Sequence, residues 1–215
     1  MRVARVFSVM ARPYDILNSQ GIWCDHCRTM MACFPRQERP PRVLDLGCGP
    51  ANSAIELRRA GAGQVVGLDL AAGMLRLGAR RVREAGAEGI GLLRGDATCL
   101  PARSGVFDAV TGHSFLYLVP DPQAVLLEVR RVLRPGGRIV LLEPAAGAPG
   151  WDLVPQLLRS LRFAISMAGW RVMSALHRRY TAESLAGALV DGGFGAVHVE
   201  RAIGGLGLLA WGERT

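Results

Sequence analysis

The fold is decided by "RVLDLGCGPANSA", residues 42–54. A short apolar run meets a glycine turn and an amphipathic segment follows, which is the pattern of a strand, a tight loop and a helix. Such loops hold nucleotide cofactors, and the dinucleotide fingerprint spaces its glycines as G-x-G-x-x-G. Gly47 and Gly49 take the first two positions, but Asn52 takes the third. The stretch alone leaves open a nicotinamide coenzyme, another nucleotide-like cofactor, or a mere turn.

The rest of the chain alternates in the same way. Further strand-like runs lie at 64–69, 89–95, 107–112 and 137–144, with helical patterns at about 53–60, 71–85 and 122–133. This alternation predicts an α/β fold with a doubly wound, mostly parallel, Rossmann-like sheet. Residues 195–214 instead predict an antiparallel hairpin around a glycine turn, which brings the sheet to seven strands.

The domain organisation follows from what surrounds this alternation. Residues 1–41 are predicted to form an N-terminal helical lid with a break near 18–21. Residues 42–215 are predicted to form one cofactor-binding domain with a helical insertion at about 145–180. At the start of the first domain helix, Ser53 and Glu56 have the spacing of a capping box.

Composition sets limits on partners and compartment. The net charge is +8, and all 26 basic residues are arginine, so attraction to nucleic acid, acidic lipid or a phosphorylated substrate stays open. The apolar runs are too short for a membrane span, and the N-terminus lacks a signal-peptide core. Five cysteines, an odd number, favour a reduced cytoplasmic protein, with a peripheral position at the inner membrane face as the alternative.

The segment "WCDHCRTMMAC" raises the question of a metal site. Cys24 and Cys27 form one C-x-x-C pair, with His26 between them and Cys33 nearby. One pair supplies two ligands, whereas a closed zinc site usually needs four, and no second pair follows. We therefore expect no metal here.

The residues that end the strands distinguish between cofactors. Ligands of open parallel sheets bind at the carboxyl ends of the strands, where Asp45, Asp69 and Asp96 are expected. A pyrophosphate needs free backbone N–H groups and no nearby carboxylates. S-adenosylmethionine has no phosphate, and carboxylates suit its ribose (Asp69), its adenine amine (Asp96) and its positively charged methionine end (Asp45). Pro50, which has no N–H, also fits better there.

The successive motifs of residues 42–144 resemble those of class I S-adenosylmethionine-dependent methyltransferases. They are "VLDLGCGPA", "VVGLDLAAGML", "LLRGDATCLP", "FDAVTGHSFLYLV" and "EVRRVLRPGGRIVLLEP", in the order of that family. The family usually has a third glycine where this chain has Ala51. The resemblance implies an S-adenosylmethionine site contributed by Asp45, Gly47, Cys48, Gly49, Asp69, Leu70, Met74, Asp96, Ala97 and His113.

A narrower resemblance concerns residues 6–23, "VFSVMARPYDILNSQGIW". They are similar to the N-terminal helix of the ubiquinone/menaquinone-biosynthesis methyltransferases. The resemblance implies that Tyr14 lies over the cofactor. It also implies a small hydrophobic or lipid-like acceptor, such as a quinone precursor, a phospholipid or another small molecule.

His113 follows the fourth strand, where the acceptor of a methyltransferase approaches the sulfonium. It is a candidate catalytic base, although it could equally contact the cofactor or hold the loop by a hydrogen bond. Phe115, Tyr117 and Tyr180 are candidate substrate contacts.

The insertion at 151–180 mixes apolar residues with arginines. It could be a packed lid, or a substrate channel that also touches a membrane surface. Nucleic acid is disfavoured as a substrate, because 112–115 reads Gly-His-Ser-Phe rather than the Asn/Asp-Pro-Pro-aromatic stretch of nucleobase methyltransferases, and interleaved aromatic residues are missing. Two rival functions remain, a nicotinamide-dependent oxidoreductase and a non-catalytic membrane- or partner-binding protein.

Overall fold

A computed structural model describes residues 2–18, 21–35, 37–147 and 160–215. The helices are α1 (Arg2–Val9), α2 (Ala11–Asn18), α3 (Gly21–Ala32), α4 (Asn52–Arg59), α5 (Ala72–Glu84), α6 (Pro122–Val132), α7 (Leu161–Leu176) and α8 (Ala182–Asp191). The strands are β1 (Arg42–Leu46), β2 (Gln64–Asp69), β3 (Ile90–Arg94), β4 (Phe107–His113), β5 (Leu133–Pro144), β6 (Phe194–Ala202) and β7 (Gly207–Arg214). A short 3-10 turn, Leu116–Leu118, follows β4.

The strands form one seven-stranded sheet in the order β3-β2-β1-β4-β5-β7-β6. The first five strands pair in parallel, whereas β7 runs antiparallel to both β5 and β6. The predicted doubly wound, mostly parallel sheet with its C-terminal hairpin is therefore confirmed.

Burial explains which strands carry the core. The central strands β1 and β4 are buried along nearly their whole length, as expected of parallel strands covered on both faces. Leu44, Val110 and Val140 lie at the centre of this core. The edge strand β3 is largely exposed. The open carboxyl ends of β1, β2 and β4 are therefore rigidly supported, which matters for any site built there.

The start of α4 differs from the prediction. The cap position is held by Ala51, whose φ is +64°, and no side chain caps the helix. Ser53 instead donates a 2.5 Å hydrogen bond to Asp45 at the end of β1, and Glu56 is buried beside Arg28. The predicted Ser53–Glu56 capping box is wrong because both side chains have stronger partners in the folded chain.

The helices α1 and α2 lie over the carboxyl ends of the strands. α1 packs on α5 so closely that a Cβ added to Gly73 would overlap the carbonyl oxygen of Ser8. Arg81 of α5 contacts both Asp15 of α2, at 2.6 Å, and Asn52 of α4, at 2.5 Å. We call α1 and α2 the lid, since they are bound to the sheet domain at the edge where the candidate site lies. In the insertion, residues 148–159 lie outside the described part, and α7 packs against α2.

Candidate functional site

The backbone N–H groups of the glycine turn after β1 are hydrogen-bonded to other groups of the protein. Gly47 and Cys48 donate to the carbonyl oxygen of Leu68, and the N–H of Ala51 donates to Cys48. The N–H of Gly49 donates to the Asp69 carboxylate at 2.9 Å, and Pro50 has no N–H. Residues 47–51 therefore offer no free backbone donor to a pyrophosphate, although the first N–H groups of α4 have no side-chain cap.

Asp69 at the end of β2 organises the turn. One carboxylate oxygen accepts from the N–H of Gly49 and the other from the N–H of Ala71, at 2.7 Å. Burial raises the pKa of Asp69, and these backbone donors counteract part of the rise. Each oxygen retains acceptor capacity. Asp69 therefore positions the turn and can still accept hydrogen bonds from a ligand diol.

A cavity of about 450 Å³ opens beside Asp69, and we call it the strand-end cavity. Most of the predicted cofactor residues line it: Gly47, Gly49, Asp69, Leu70, Met74, Asp96, Ala97 and His113, together with Phe115, which was expected on the substrate side. The carboxylate of Asp96 is held in place by hydrogen bonds that the N–H and the hydroxyl of Thr98 donate to its Oδ1. The predicted residues thus come together around one space of a size suited to a small cofactor.

Of the three other predicted cofactor residues, Asp45 and Cys48 do not line the strand-end cavity. Asp45 lies beneath the turn, where it accepts hydrogen bonds from Ser53 and Thr111, and burial raises its pKa to about 6. Cys48 lies so close to β2 that a Cβ added to Gly67 would be 2.8 Å from its sulfur. The side chain of Tyr14 lies outside the described residues.

A second cavity of about 320 Å³ lies under the lid, and we call it the lid cavity. Its walls are mainly apolar and come from α1, α2, α3 and α7, with Phe7, Trp23, Ile165, Trp170 and Met173 among them. Tyr117, a candidate substrate contact, lines it. Tyr180 does not line it, since it is buried and accepts a hydrogen bond from Arg178.

The two cavities meet at a small group of shared residues, Phe7, Gly47, Gly49, His113, Ser114 and Leu118. A molecule in the lid cavity would therefore touch a molecule in the strand-end cavity at this boundary. Such a contact is what direct group transfer between two bound molecules requires.

His113 stands at that boundary as a neutral ring. Burial, with a further effect from His26, lowers its pKa to about 4. Its Nε2 is buried and has no hydrogen-bond partner among the described residues, and Trp23 lies edge-on to the ring at 5.7 Å. The ring can accept or donate a hydrogen bond at neutral pH, but a group with this pKa is a weak proton acceptor.

Two further polar atoms of the lid cavity lack partners within the described chain. They are the hydroxyl oxygen of Ser114 and the indole nitrogen of Trp170. Buried polar atoms are nearly always paired in folded proteins, so unpaired ones on one cavity point to a ligand with polar atoms of its own. The lid cavity thus suits an apolar molecule that carries oxygen groups.

Glu143, at the end of β5, was not predicted as a site residue. Its two oxygens accept hydrogen bonds from the backbone N–H groups of Phe115, Leu116 and Tyr117. It is fully buried, and burial raises its pKa to about 7. The sequence feature that could have indicated it is a single carboxylate near the end of the apolar run "RIVLLEP". Through these hydrogen bonds Glu143 holds in place residues 115–117, which lie between the two cavities.

The cysteine-rich helix shows no metal arrangement in the part that the structure describes, where no group of three or more potential ligands is placed to hold an ion. The side chain of Cys24 lies outside that part. Cys27 lines the lid cavity, and its thiol donates to the carbonyl of Trp23 within the helix.

Comparison with known proteins agrees with this geometry. Residues 1–213 match the model of the ubiE/COQ5 methyltransferase family. Among similar proteins are demethylmenaquinone methyltransferases of Anoxybacillus flavithermus, 37% identical over 146 residues (66% of this chain, 62% of that protein), and of Mycolicibacterium paratuberculosis, 41% identical over 148 residues (66% and 59%). The matched part thus spans about three fifths of these relatives' length.

A solved structure supports the fold over nearly the whole chain. The Thermotoga maritima protein, described as a SAM-dependent methyltransferase and possible histamine N-methyltransferase, superposes with a TM-score of 0.69. The match covers 98% of this chain and 99% of that one at 15% identity, so it concerns the fold alone. The resemblance found in the sequence is confirmed: the chain belongs to the ubiE/COQ5 methyltransferase family.

Proposed function

We propose that this protein transfers the methyl group of S-adenosylmethionine to a lipid-like quinone precursor. The observation that carries the proposal is the pair of adjoining cavities, one bordered by carboxylates and the other apolar with unpaired polar atoms. The names of the related demethylmenaquinone methyltransferases support a reduced demethylnaphthoquinone as the acceptor.

The strand-end cavity would hold the cofactor, which supplies an electrophilic methyl group on a sulfonium. Asp69 would accept hydrogen bonds from the ribose hydroxyls, while its bonds to the turn keep it in place. Asp96 would contact the adenine amine, and Leu70, Met74 and Ala97 would surround the base. Asp45, which the sequence placed at the methionine end, would act there through Ser53 and the start of α4.

The acceptor ring would lie in the lid cavity beside His113. With a pKa of about 4, His113 would be a poor base for a hydroxyl whose own pKa is near 10, as in tyrosine. We propose that it orients the acceptor by a hydrogen bond and leaves ionisation of the hydroxyl to the medium. Alignment of the nucleophile with the methyl group then carries much of the rate enhancement.

The proposal extends to a membrane surface. Leu161, Val172 and Leu176 of α7 are exposed apolar residues, in agreement with an insertion that touches lipid. Among the described residues no helix is long and apolar enough to cross a membrane. A peripheral position at the inner face would bring a lipid-like acceptor to the lid cavity.

The direct test is a labelled-methyl assay with reduced demethylmenaquinones as acceptors, together with calorimetry using S-adenosylhomocysteine and NADH. We expect label in the naphthoquinol product and binding of S-adenosylhomocysteine only. Binding of NADH without S-adenosylhomocysteine would replace the proposal by an oxidoreductase. Binding of neither, with retained vesicle binding, would indicate a non-catalytic protein.

A further inference from the structure

A groove of about 310 Å³ lies on the outer side of the lid, between the lid and α5, and we call it the lid groove. It is lined by Ser8, Val9, Ala11, Arg12, Gly73, Arg76, Leu77 and Arg80. None of these described lining residues is acidic. The groove therefore combines three guanidinium groups with an apolar floor.

Two of these arginines have no partner among the described residues. Arg12 and Arg76 are exposed, and neither makes a hydrogen bond or ion pair with any residue that the structure describes. Arg80 has only a long contact of 3.5 Å to Glu84, between two exposed side chains, and such a pair contributes little. All three can therefore turn toward an external anion at small cost.

The arginines of the insertion differ in this respect. Arg171 donates to the carbonyl oxygen of Ala145, and Arg179 donates to Ser174 and to the backbone of α7. Within the insertion, Arg171 and Arg179 thus bind the chain's own oxygens. The lid groove instead brings three weakly held guanidinium groups together in one place.

Apolar exposure accompanies these cations. Val9, at the rim of the groove, is 82% exposed, and Ile16 of α2 is 63% exposed. The same short segment also lines the lid cavity through Val6, Met10 and Pro13. One side of residues 6–13 thus faces the lid cavity and the other faces the lid groove.

We infer that the lid groove rests on an anionic phospholipid surface, with the guanidinium groups of Arg12, Arg76 and Arg80 on the phosphates and Val9 among the outermost acyl carbons. Arginine suits this role because its planar donors match phosphate oxygens and keep their charge. Exposed apolar residues next to basic ones are what interfacial binding requires. The inference deepens the proposed function, since a surface-bound lid would place the lid cavity beside a membrane-dissolved acceptor.

The test is sedimentation with vesicles of phosphatidylcholine alone or mixed with phosphatidylglycerol, in the absence of acceptor. The double variant Arg12→Gln/Arg76→Gln is compared with Arg103→Gln/Arg201→Gln, which removes two exposed arginines that lie outside α1, α2 and α5. A basic residue near an anionic surface changes partitioning by about fivefold. We expect binding of the first variant to mixed vesicles to fall about 20-fold and that of the control less than threefold.

The apolar contact is tested with Val9→Ser against Val190→Ser, an exposed valine of α8. The first should weaken vesicle binding severalfold, and the second should not change it. Wild-type binding should fall steeply between 0.1 and 0.5 M salt. Unchanged calorimetric affinity for S-adenosylhomocysteine would show that each variant is folded.

Three results would overturn the inference: equal losses in both double variants, equal binding to neutral and anionic vesicles, or displacement from vesicles by millimolar inorganic phosphate or by a short RNA. Because no acceptor is present, these results are independent of methyl transfer. Labelling of a quinol without vesicle binding would leave the proposed function standing and reject the surface.

Discussion

The strand-end cavity and the lid cavity share residues but are built in opposite ways. The first is framed by strand ends and turns, where backbone hydrogen bonds fix each group, as Asp69 shows. The second is formed by side chains of helices far apart in the chain, such as Trp23 and Trp170, whose rings are 5.6 Å apart. The strand-end cavity is therefore set by local backbone geometry, and the lid cavity by tertiary packing.

The largest expected effect is on the lid side. Trp23 is buried, contacts the rings of His113, Phe163 and Trp170, and donates a hydrogen bond to Ser166. Replacing Trp23 with alanine should lower the free energy of unfolding by about 3–5 kcal/mol, measured by urea denaturation. The affinity of the folded variant for S-adenosylhomocysteine should stay within threefold. A tenfold loss would mean that the two cavities are not built independently.

The matching change on the strand-end side is Asp69→Ala. It removes the hydrogen bond to Gly49 in the turn, the bond to Ala71 at the start of α5, and the proposed ribose acceptor. The affinity for S-adenosylhomocysteine should therefore fall about 100-fold, since bonds to charged groups contribute about 1.5–3 kcal/mol. Calorimetry measures the affinity, and Glu88→Ala, which removes an exposed carboxylate, is the control. Unchanged affinity would remove Asp69 from the cofactor site.

Glu143 joins the two cavities and makes stability depend on pH. Its pKa is about 7 in the folded chain against an ordinary value of 4.5, so between these values the folded state keeps a proton that the unfolded state releases. The stability contributed by this group is complete below about pH 4.5 and is lost as pH rises through about 7. The Glu143→Gln variant lacks this titration.

Urea denaturation at pH 5 and pH 8 checks the expectation. Between the two, wild type should lose about 3 kcal/mol relative to Glu143→Gln, from 1.36 kcal/mol per pKa unit. Comparison with the variant cancels the titrations of Asp45 and Asp69, which both proteins keep. Parallel pH profiles for the two proteins would show that Glu143 ionises normally.

A smaller effect is expected at the boundary of the cavities. His113→Asn keeps a hydrogen-bonding group, so kcat should fall about tenfold, below the 10²–10⁴-fold contribution of general acid–base catalysis. The pH profile of kcat above pH 5 should keep its shape, because His113 is already neutral there. A 1000-fold loss, or loss of an inflection, would instead make His113 the base.

The smallest change concerns the turn itself. Ala51 adopts φ +64°, which favours glycine, and its Cβ is fully buried. Ala51→Gly should raise the free energy of unfolding by about 0.5–1 kcal/mol by relieving this strain. Ala54→Gly in α4 should lower it by about 1 kcal/mol. If both variants lose stability, the methyl group of Ala51 matters more than its backbone.

The sequence predicted the sheet and the strand-end cavity because their determinants are local. Gly47, Gly49, Asp69 and Asp96 are fixed by their place after a strand, and strand ends meet at one edge. Asp45 has the same kind of position, but its oxygens face Ser53 and Thr111, which only the folded chain reveals.

The lid cavity could not be predicted in the same way. Trp170 lies in an insertion without a motif, and it meets Trp23 only through packing of α7 against α3. The role of Glu143 could not be predicted because its partners are backbone N–H groups, which every residue type except proline supplies. The helical pattern of 1–35 was recognised, but the free arginines of the lid groove depend on which side chains find partners.

Arg81 gives the absence of lysine a mechanical meaning. It joins Asp15 of the lid to Asn52, the residue that replaces the third glycine of the dinucleotide fingerprint. The guanidinium reaches both partners at once, with Nη1 on the Asn52 oxygen and Nη2 on the Asp15 carboxylate. A lysine has one compact ammonium and lacks this planar pair of nitrogens, so a single arginine can tie the lid to the turn where a lysine would not match both partners.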